Sequence, residues 1–513
     1  MSVDKLRETH HINRVAPSDL GLLMSAQSYR PEITEAIRKI KSFPWAPLQS
    51  LVKNVISPGP HPVYGGTYPC LKTKNVSELL ADTEPADFAD VIGIGNLEKV
   101  QVERGDLLIN LTGAGSIGRV SIYYGDDLPI TNQHIARMGI KDAYDEGYVA
   151  AFLRTWWGER ALEQGVAGST GQINMVNDHV RSIPVIIFNA AVQKYIGDKV
   201  RQAERLRAWA KYVVENFEVI FSAQYPPLSN YKKYKAKHFR MDVGSTFDVL
   251  TPESYPPEIE QYFRENKFYS LGELSSEIFT GNTQDDAESG QNFVFQITSR
   301  SCTGQFLRKP FNRVIKPKIG RYLKKLDILL TCGAHDKKYI GKDVSICHDS
   351  EANLPSSKVL VVRIKEGTLP ASYVHSYLKS DAGYIQWQSV VRGISAGIHP
   401  GDIAQLKIPV PISTKEWHEK YSTADGSISL AGKACELAMQ LTNAAKLFVE
   451  ALIKGQLTEA ELIAAEQSLQ VGSDQLDRRV LTQMKVDGIN GQGPALFGDL
   501  EELYHLLTLA EGD

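Results

Sequence analysis

Two long stretches of the chain place apolar or small residues at alternating three- and four-residue steps. In "AAVQKYIGDKVRQAERLRAWAKYVVENFEVIFSA" they fall at Ile196, Val200, Ala203, Leu206, Ala210, Val213, Phe217 and Ile220. The second stretch repeats the pattern at Ile428, Ala431, Ala434, Leu437, Leu441, Ala445, Phe448 and Leu452. Each spacing draws one stripe along one long helix. The polar face of the first would carry Lys199, Arg201, Glu204, Arg205 and Lys211. A stripe must be buried, and each helix is the natural cover for the other, which predicts an antiparallel pair. Elsewhere the period is two. "GDLLINLT" predicts a strand, and "RVSIYYG", with Val120, Ile122 and Tyr124 alternating, predicts a second. Between them lies Gly113-x-Gly115-x-x-Gly118, the glycine spacing of a dinucleotide-binding loop. That chemistry needs a helix opening directly after the loop, so that a pyrophosphate sits on its N-terminus. A strand follows instead, and the glycines imply only a tight, deformable connection.

The chain also repeats itself. "YVAAFLRTWWGERALEQGVAGSTGQINMVNDHVRSIPV" begins at Tyr148 and "YVHSYLKSDAGYIQWQSVVRGISAGIHPGDIAQLKIPV" at Tyr373, an offset of 225 residues. Leu153 matches Leu378, and Ile183-Pro184-Val185 matches Ile408-Pro409-Val410. Upstream, "GDLLINLTGAGSIGRVSIYYGD" parallels "LDILLTCGAHDKKYIGKDVSICHD", with Asp106 matching Asp327, and "FPWAPLQSLVKNVISPG" parallels "NKFYSLGELSSEIFTG". The glycine loop is the least preserved part, which suits a loop reading a different target in each copy better than a cofactor loop. The expected organisation is a segment 1–42, a module 43–188, a long helix 189–225, a basic linker 226–266, a second module 267–412, a long helix 413–468 and an acidic extension 469–513. The fold class is α/β (α+β): two repeated domains separated by two long antiparallel coiled-coil helices in pseudo-twofold arrangement.

Composition adds mostly exclusions. The net charge of −3 does not advertise a polyanion partner, so any such contact must come from local patches. The five cysteines are scattered without a CxxC pair, which suits a reducing compartment. "MSVDKLRETHHINRV" has no apolar core of a signal peptide and no run approaches a membrane span, so a cytoplasmic location is expected. There is no GxxxxGK[ST], no H-E-x-x-H and no NPP[FY]-type tetrapeptide. Asp106 and Asp327 lack the later acid-x-Lys partner of a nuclease, and no catalytic residue is assigned. One metal candidate, Cys332-x2-His335 with Cys347-His348, is awkward because neighbours on a strand point to opposite faces, and no metal is assigned.

The order domain, long helix, domain, long helix, with "GDLLINLTGAGSIGRV", "NQHI" at 132–135 and "GSTGQINMVNDHVRSIPV", resembles the specificity subunit of Type I restriction–modification systems. The resemblance covers residues 43 to roughly 465; the terminal segments depart from it. It implies target-recognition domains that each read half of a split DNA site. It also implies a helical ruler between them and docking of methyltransferase subunits, two in number, with a restriction or translocase subunit as a further partner. The chain itself would be no enzyme and hold no cofactor; S-adenosylmethionine, ATP and Mg²⁺ would belong to partner subunits. A ruler helix of about 28 residues would span roughly 42 Å, close to one turn of duplex. The alternative is an adaptor or scaffold of another phage-defence complex, without methylation.

DNA binding needs cations for phosphates and polar side chains on loops for bases. Residues 300–325 carry nine Lys or Arg and no acid. Arg300, Arg308, Lys309, Arg313, Lys316 and Lys318 are the candidates there, joined by Lys337 and Lys338 in the loop that replaces the glycines. The first module is less basic: Lys72, Lys74, Asn75, Thr112, Ser116 and Arg119 are its candidates. "AGSTGQIN" adds Ser169, Thr170, Gln172 and Asn174, and the matching "RGISAGIH" adds Arg392 and Ser395, residue types that pair with adenine or guanine edges. The run "YKKYKAKHFR" at 231–240 is a second basic stretch.

Overall fold

The computed structural model describes residues 15–17, 20–54, 56–83, 87–168, 173–226, 257–288, 290–309, 311–349, 353–392, 396–412 and 415–512, and shows a mixed α/β chain. It divides into two compact units, Met1–Leu206 with Leu437–Asp513, and Arg207–Glu436. The first holds strands β1 (Trp45–Pro47), β2 (Ser57–Pro58), β3 (Val63–Leu71), β4 (Asp87–Asp90), β5 (Leu107–Asn110), β6 (Val120–Ile122), β7 (Ile130–Thr131), β8 (Ile135–Met138), β9 (Val166–Ala167), β10 (Asn174–Met175) and β11 (Pro184–Ile186). The second holds β12 (Phe268–Ser270), β13 (Ser275–Thr280), β14 (Phe293–Ile297), β15 (Asn312–Ile315), β16 (Ile328–Thr331), β17 (Val344–Ile346), β18 (Leu354–Pro355), β19 (Val359–Ile364) and β20 (Lys407–Pro409).

The sequence repeat is a repeat of topology. Sheets β2-β8-β5-β6 and β13-β19-β16-β17 share one order, all antiparallel. Sheets β4-β3-β7 and β15-β14-β18 each combine one antiparallel and one parallel pairing, and β1-β11 matches β12-β20. Small residues are copied where backbones meet. A Cβ on Gly59 would lie 2.3 Å from the Thr131 carbonyl, and one on Gly281 1.8 Å from that of Pro355, so only glycine lets β2 and β13 end against β7 and β18. The Tyr148 hydroxyl donates to the Ile186 carbonyl at 2.7 Å, and its counterpart Tyr373 to that of Pro409 at 3.0 Å.

The expected strands before and after the glycine loop are β5 and β6, paired antiparallel, and no helix opens between them. Asp106 and Asp327, one residue before β5 and β16, are structural. Each accepts a backbone N–H from three residues upstream and meets an arginine of the adjacent strand, Arg137 at 3.1 Å and Arg363 at 2.8 Å. Burial pushes both carboxyl pKa values up, and the arginines and the backbone donors oppose that shift.

The two long helices are Ala190–Ser222, of 33 residues, and Lys415–Lys454, of 40. Within the first unit Tyr195 packs on Phe448 with centroids 5.5 Å apart, and Asn189 donates its N–H to Glu459 just past the second helix. Within the second unit Phe217 shares a cluster with Ile428, and Phe221 packs on Trp417 at 5.9 Å. The helix segments therefore run in opposite directions inside each unit. Ile196, Val200, Ala203, Leu206 and Ala210 of the predicted stripe are at most 1% exposed, while Val213, Phe217 and Ile220 are half-buried.

Two expectations about these helices are corrected. Lys199 and Glu204 do not lie on a solvated face: Lys199 is 1% exposed because helix Gln475–Thr482 covers it and brings Asp477 to 2.7 Å. Nor does the second helix continue to 468. It stops at Lys454 because Gly455 turns left-handed (φ 72°), and Thr458 and Glu461 form a capping box that starts helix Glu459–Gln470. The acidic extension is a folded part of the first unit. It comprises hairpin β21 (Met484–Lys485) and β22 (Gly488–Ile489), and helix Leu500–Gly512, which buries Leu503, Leu506 and Leu507. At the other end of the chain, helix Pro31–Lys41 buries Ile33, Ala36 and Ile40, and Arg30 before it reaches Glu163 at 2.9 Å. Among the described residues no helix is long and apolar enough to cross a membrane.

Candidate nucleic-acid interface

In the first unit three of the segments singled out by sequence meet on one side of the module. The loop 111–119 leaves β5 and returns to β6, with Gly113, Gly115 and Gly118 at φ 106°, 77° and 77°. Only glycine occupies that region without strain, so the loop folds tightly on itself. The Ser116 hydroxyl stays within it, 3.3 Å from the Thr112 carbonyl. Asn110 at the loop's foot is fully buried and donates at 3.1 Å to the carbonyls of Thr73 and Val76, which fixes the 3-10 turn Thr73–Asn75 beside it. From the other flank, Met175 donates to the Leu111 carbonyl at 2.8 Å and Thr112 bridges to Asn174. Asn174 and Arg119 are exposed, and Thr112 and Ser116 are half-buried.

The same convergence recurs in the second unit with different residues. The loop 332–343 joins β16 to β17, and Gly333 bridges to Gly397. Ala334 and Ile398 exchange backbone hydrogen bonds at 3.0 Å with Ala396 and Cys332. Gln388 holds the loop through the carbonyls of Lys337 and Ile340 at 2.9 and 2.8 Å. Lys337 and Lys338 are exposed, as are Arg300 in turn Ser299–Ser301 and Arg308 nearby. Arg313, Lys316 and Lys318 are exposed on β15 and the loop that follows it.

Tertiary contacts sort the candidates further. Asn75 does not face solvent: it is 1% exposed, accepts the Lys72 N–H at 2.8 Å and donates to the Asp82 carbonyl at 2.8 Å. Lys72 and Lys74 both reach Asp87, at 3.3 and 2.9 Å, and hold its carboxyl below the usual range. Lys338 pairs with Asp336 at 2.9 Å and Arg392 with Asp402 at 2.5 Å. Lys309 pairs with Glu436 at 2.8 Å while its side chain stays 38% exposed. Ser169, Thr170, Gln172 and Ser395, and the run 231–240, lie outside the described residues. One cation escaped the sequence reading: Arg154 lies near Arg119, is mostly buried, and donates to the Ser77 carbonyl at 3.2 Å. Its only sequence signal was its place at the end of a copied helix.

The Cys–His metal candidate does not assemble. Cys332 and Cys347 belong to different apolar clusters, and their thiols lie against the Ser357 and Asp349 carbonyls. His335 stacks near Tyr339 at 5.2 Å. Among the described residues His348, Asp349 and Glu436 put donor atoms within 4.8 Å of one another. Glu436, however, already holds Lys309 and Lys433 at 2.8 and 3.2 Å, and His348 with these two lysines pulls its carboxyl far down despite burial. That makes the trio part of an ion-pair cluster, with two ammonium groups where a metal would need electron donors.

No protein-family profile matches the chain, and no curated protein matches it. Among solved structures it is similar to the S subunit of a Type I restriction–modification system from M. genitalium, at 12% identity and a TM-score of 0.39, covering 81% of this chain and 97% of that one. It is also similar to the HsdS subunit from Thermoanaerobacter tengcongensis, at 13% identity and a TM-score of 0.27, over 81% and 97% of the two chains. A third similar chain comes from work on complex assembly and conformational transition of the type I R-M system, at 12% identity and a TM-score of 0.27, over 81% and 98%.

Proposed function

We propose that this chain is a non-catalytic, sequence-specific DNA-recognition subunit. Each repeated module reads one half of a bipartite site, and the two long helices act as its spacer and as a docking surface for methyltransferase and motor–nuclease subunits. The observation that carries the reading is the repeated convergence of loops on one side of each module, with a cluster of exposed cations on the second. Positions 311–322 of that module contain no acid, and Arg313, Lys316 and Lys318 are exposed there. Groups so placed suit phosphate positioning, and the adaptable loops suit base readout. At 1.5 Å per residue the helices are about 50 and 60 Å long, longer than the expected ruler. S-adenosylmethionine, ATP and Mg²⁺ belong, on this reading, to the partners. The adaptor reading draws support from the first module, where Asp87 neutralises both Lys72 and Lys74.

The test is co-expression with a Type I methyltransferase subunit from the same source, followed by genome-wide mapping of methylated bases. A split motif modified in both halves, with one half changed by exchanging residues 43–188, is the expected result. The complex should also lose about three units of slope in log affinity against log salt when Arg313, Lys316 and Lys318 are changed to Glu. A stable complex that adds no methylation and binds no duplex leaves the adaptor reading.

A further inference from the structure

Resting on the DNA-recognition reading, we infer that the loop after β15 carries an apolar wedge, Ile319, that enters a groove and parts a base step. In the first module Ile92, in the loop after β4, would act in the same way.

Ile319 is 93% exposed and Ile92 88%, among the most exposed large apolar side chains described. Single exposed apolar residues are ordinary; here each module carries one just past its matching edge strand, Ile92 two residues beyond β4 and Ile319 four beyond β15. β4 and β15 are equivalent edge strands, and each isoleucine follows its strand within four residues, at the tip of the outgoing loop. The loop around Ile319 is held at both ends. Lys316 donates its N–H to the Asn292 carbonyl at 3.1 Å, and Leu323 donates to that of Asn353 at 2.9 Å. A Cβ on Gly320 would lie 2.9 Å from Leu354, so the turn sits tightly against β18. Pro317 removes another degree of freedom. The isoleucine is thus presented on a braced loop with its side chain almost fully exposed.

Its surroundings name the partner. Lys316, Lys318 and Arg321 flank it and are exposed. Behind them, one face of the β14–β15 ladder shows Phe293, Phe295 and Ile315 at 37–40% exposure, with the Arg313 guanidinium 3.9 Å above the Phe293 ring. An apolar tip ringed by cations fits a duplex, where phosphates meet the cations and the tip reaches the base stack. Among polyanions of this kind, the DNA-recognition reading supplies the duplex as the partner. In the first module Tyr64 and Phe88 are exposed on the hairpin, but Asp90 accepts the Ile92 N–H at 2.8 Å beside the tip. The second module therefore contributes more of the salt-dependent affinity and the sharper distortion.

The experiment uses the full chain with its methyltransferase partner and a duplex containing the mapped site, with dyes at the ends and 2-aminopurine at successive steps. The wild-type complex should shorten the end-to-end distance and raise 2-aminopurine fluorescence at one step in each half. Ile319→Ser should abolish the signal in one half and weaken specific binding about tenfold, with the salt slope unchanged; Ile319→Met should restore it, and Ile92→Ser should act on the other half. A wild-type complex that binds its site without bending or unstacking, or an Ile319→Ser complex that behaves as wild type, overturns the wedge and leaves DNA recognition standing. A wild-type complex that binds no duplex overturns the recognition reading itself.

Discussion

Asp477 is the residue whose loss should be felt most. It is fully buried, 2.7 Å from the ammonium of Lys199, itself 1% exposed, and it accepts hydrogen bonds from the Tyr195 and Tyr504 hydroxyls. Burial alone would raise its pKa, but Lys199 and the donors overcome that and hold it low, so the charged form is the native one. Asp477→Ala leaves an ammonium sealed from water without a partner, which costs about 3–5 kcal/mol. In a unit of this size that corresponds to a fall in Tm of about 10 °C. Lys199→Met with Asp477→Leu removes both charges and should recover most of the loss, leaving about 1–3 kcal/mol for the hydroxyls deprived of an acceptor. The assay is amide hydrogen exchange on peptides from helix Leu500–Gly512, read alongside a denaturant titration. Opening of that helix should become easier by the same free energy in the single variant and much less so in the double. A single variant that shifts neither readout by more than about 1 kcal/mol would refute the idea that the C-terminal extension is locked down through a desolvated ion pair.

Two further effects follow from other buried groups. His375 is 1% exposed, donates a ring N–H to the Val344 carbonyl at 2.9 Å, and is pulled by burial to a pKa of about 3. Between that value and about 6.5 the unfolded chain holds a proton the native one lacks. Its contribution is therefore complete above pH 6.5 and falls by about 1.4 kcal/mol per unit below it; denaturation at pH 7 and pH 5 should show about 2 kcal/mol less loss in His375→Gln than in the wild type. Arg363→Ala strands the fully buried Asp327 and should cost the second unit about 3 kcal/mol in denaturant titration. Arg137→Ala should cost the first unit less, because its single 3.1 Å contact with Asp106 is the weaker pair.

Much of the architecture was legible in the chain because it rests on local periodicity. The three-and-four stripe through Ile196 and Leu206, and the alternation from Val120 to Tyr124, each describe burial along one element and need no knowledge of the partner. The repeat reinforced this: Tyr148 and Tyr373 stand in matched sequence, and each donates to the carbonyl of a strand's last residue, Ile186 of β11 and Pro409 of β20. The convergence of the loops followed from strand order, which the sequence implied without stating. Charge was the illegible part. Lys199 and Asp477, 278 positions apart, looked like solvated surface and tail; Lys309 looked like one more member of a phosphate-binding run, and the fold pairs it with Glu436.

The sequence by itself determined that the chain is duplicated, that a strand follows the glycine loop, that two long amphipathic helices succeed the modules, and that residues 300–325 are basic. Those properties are carried by residue type and spacing within a single stretch. Tertiary structure alone decided which cations stay exposed, that Asn75 holds a turn, that Asp106 and Asp327 anchor arginines, and that the extension closes over the first long helix. The reason is physical: an apolar side chain is stabilised by any apolar neighbour, so its pattern predicts its burial. A charge is neutralised by one group at one distance, and the fold chooses that group from anywhere in the chain.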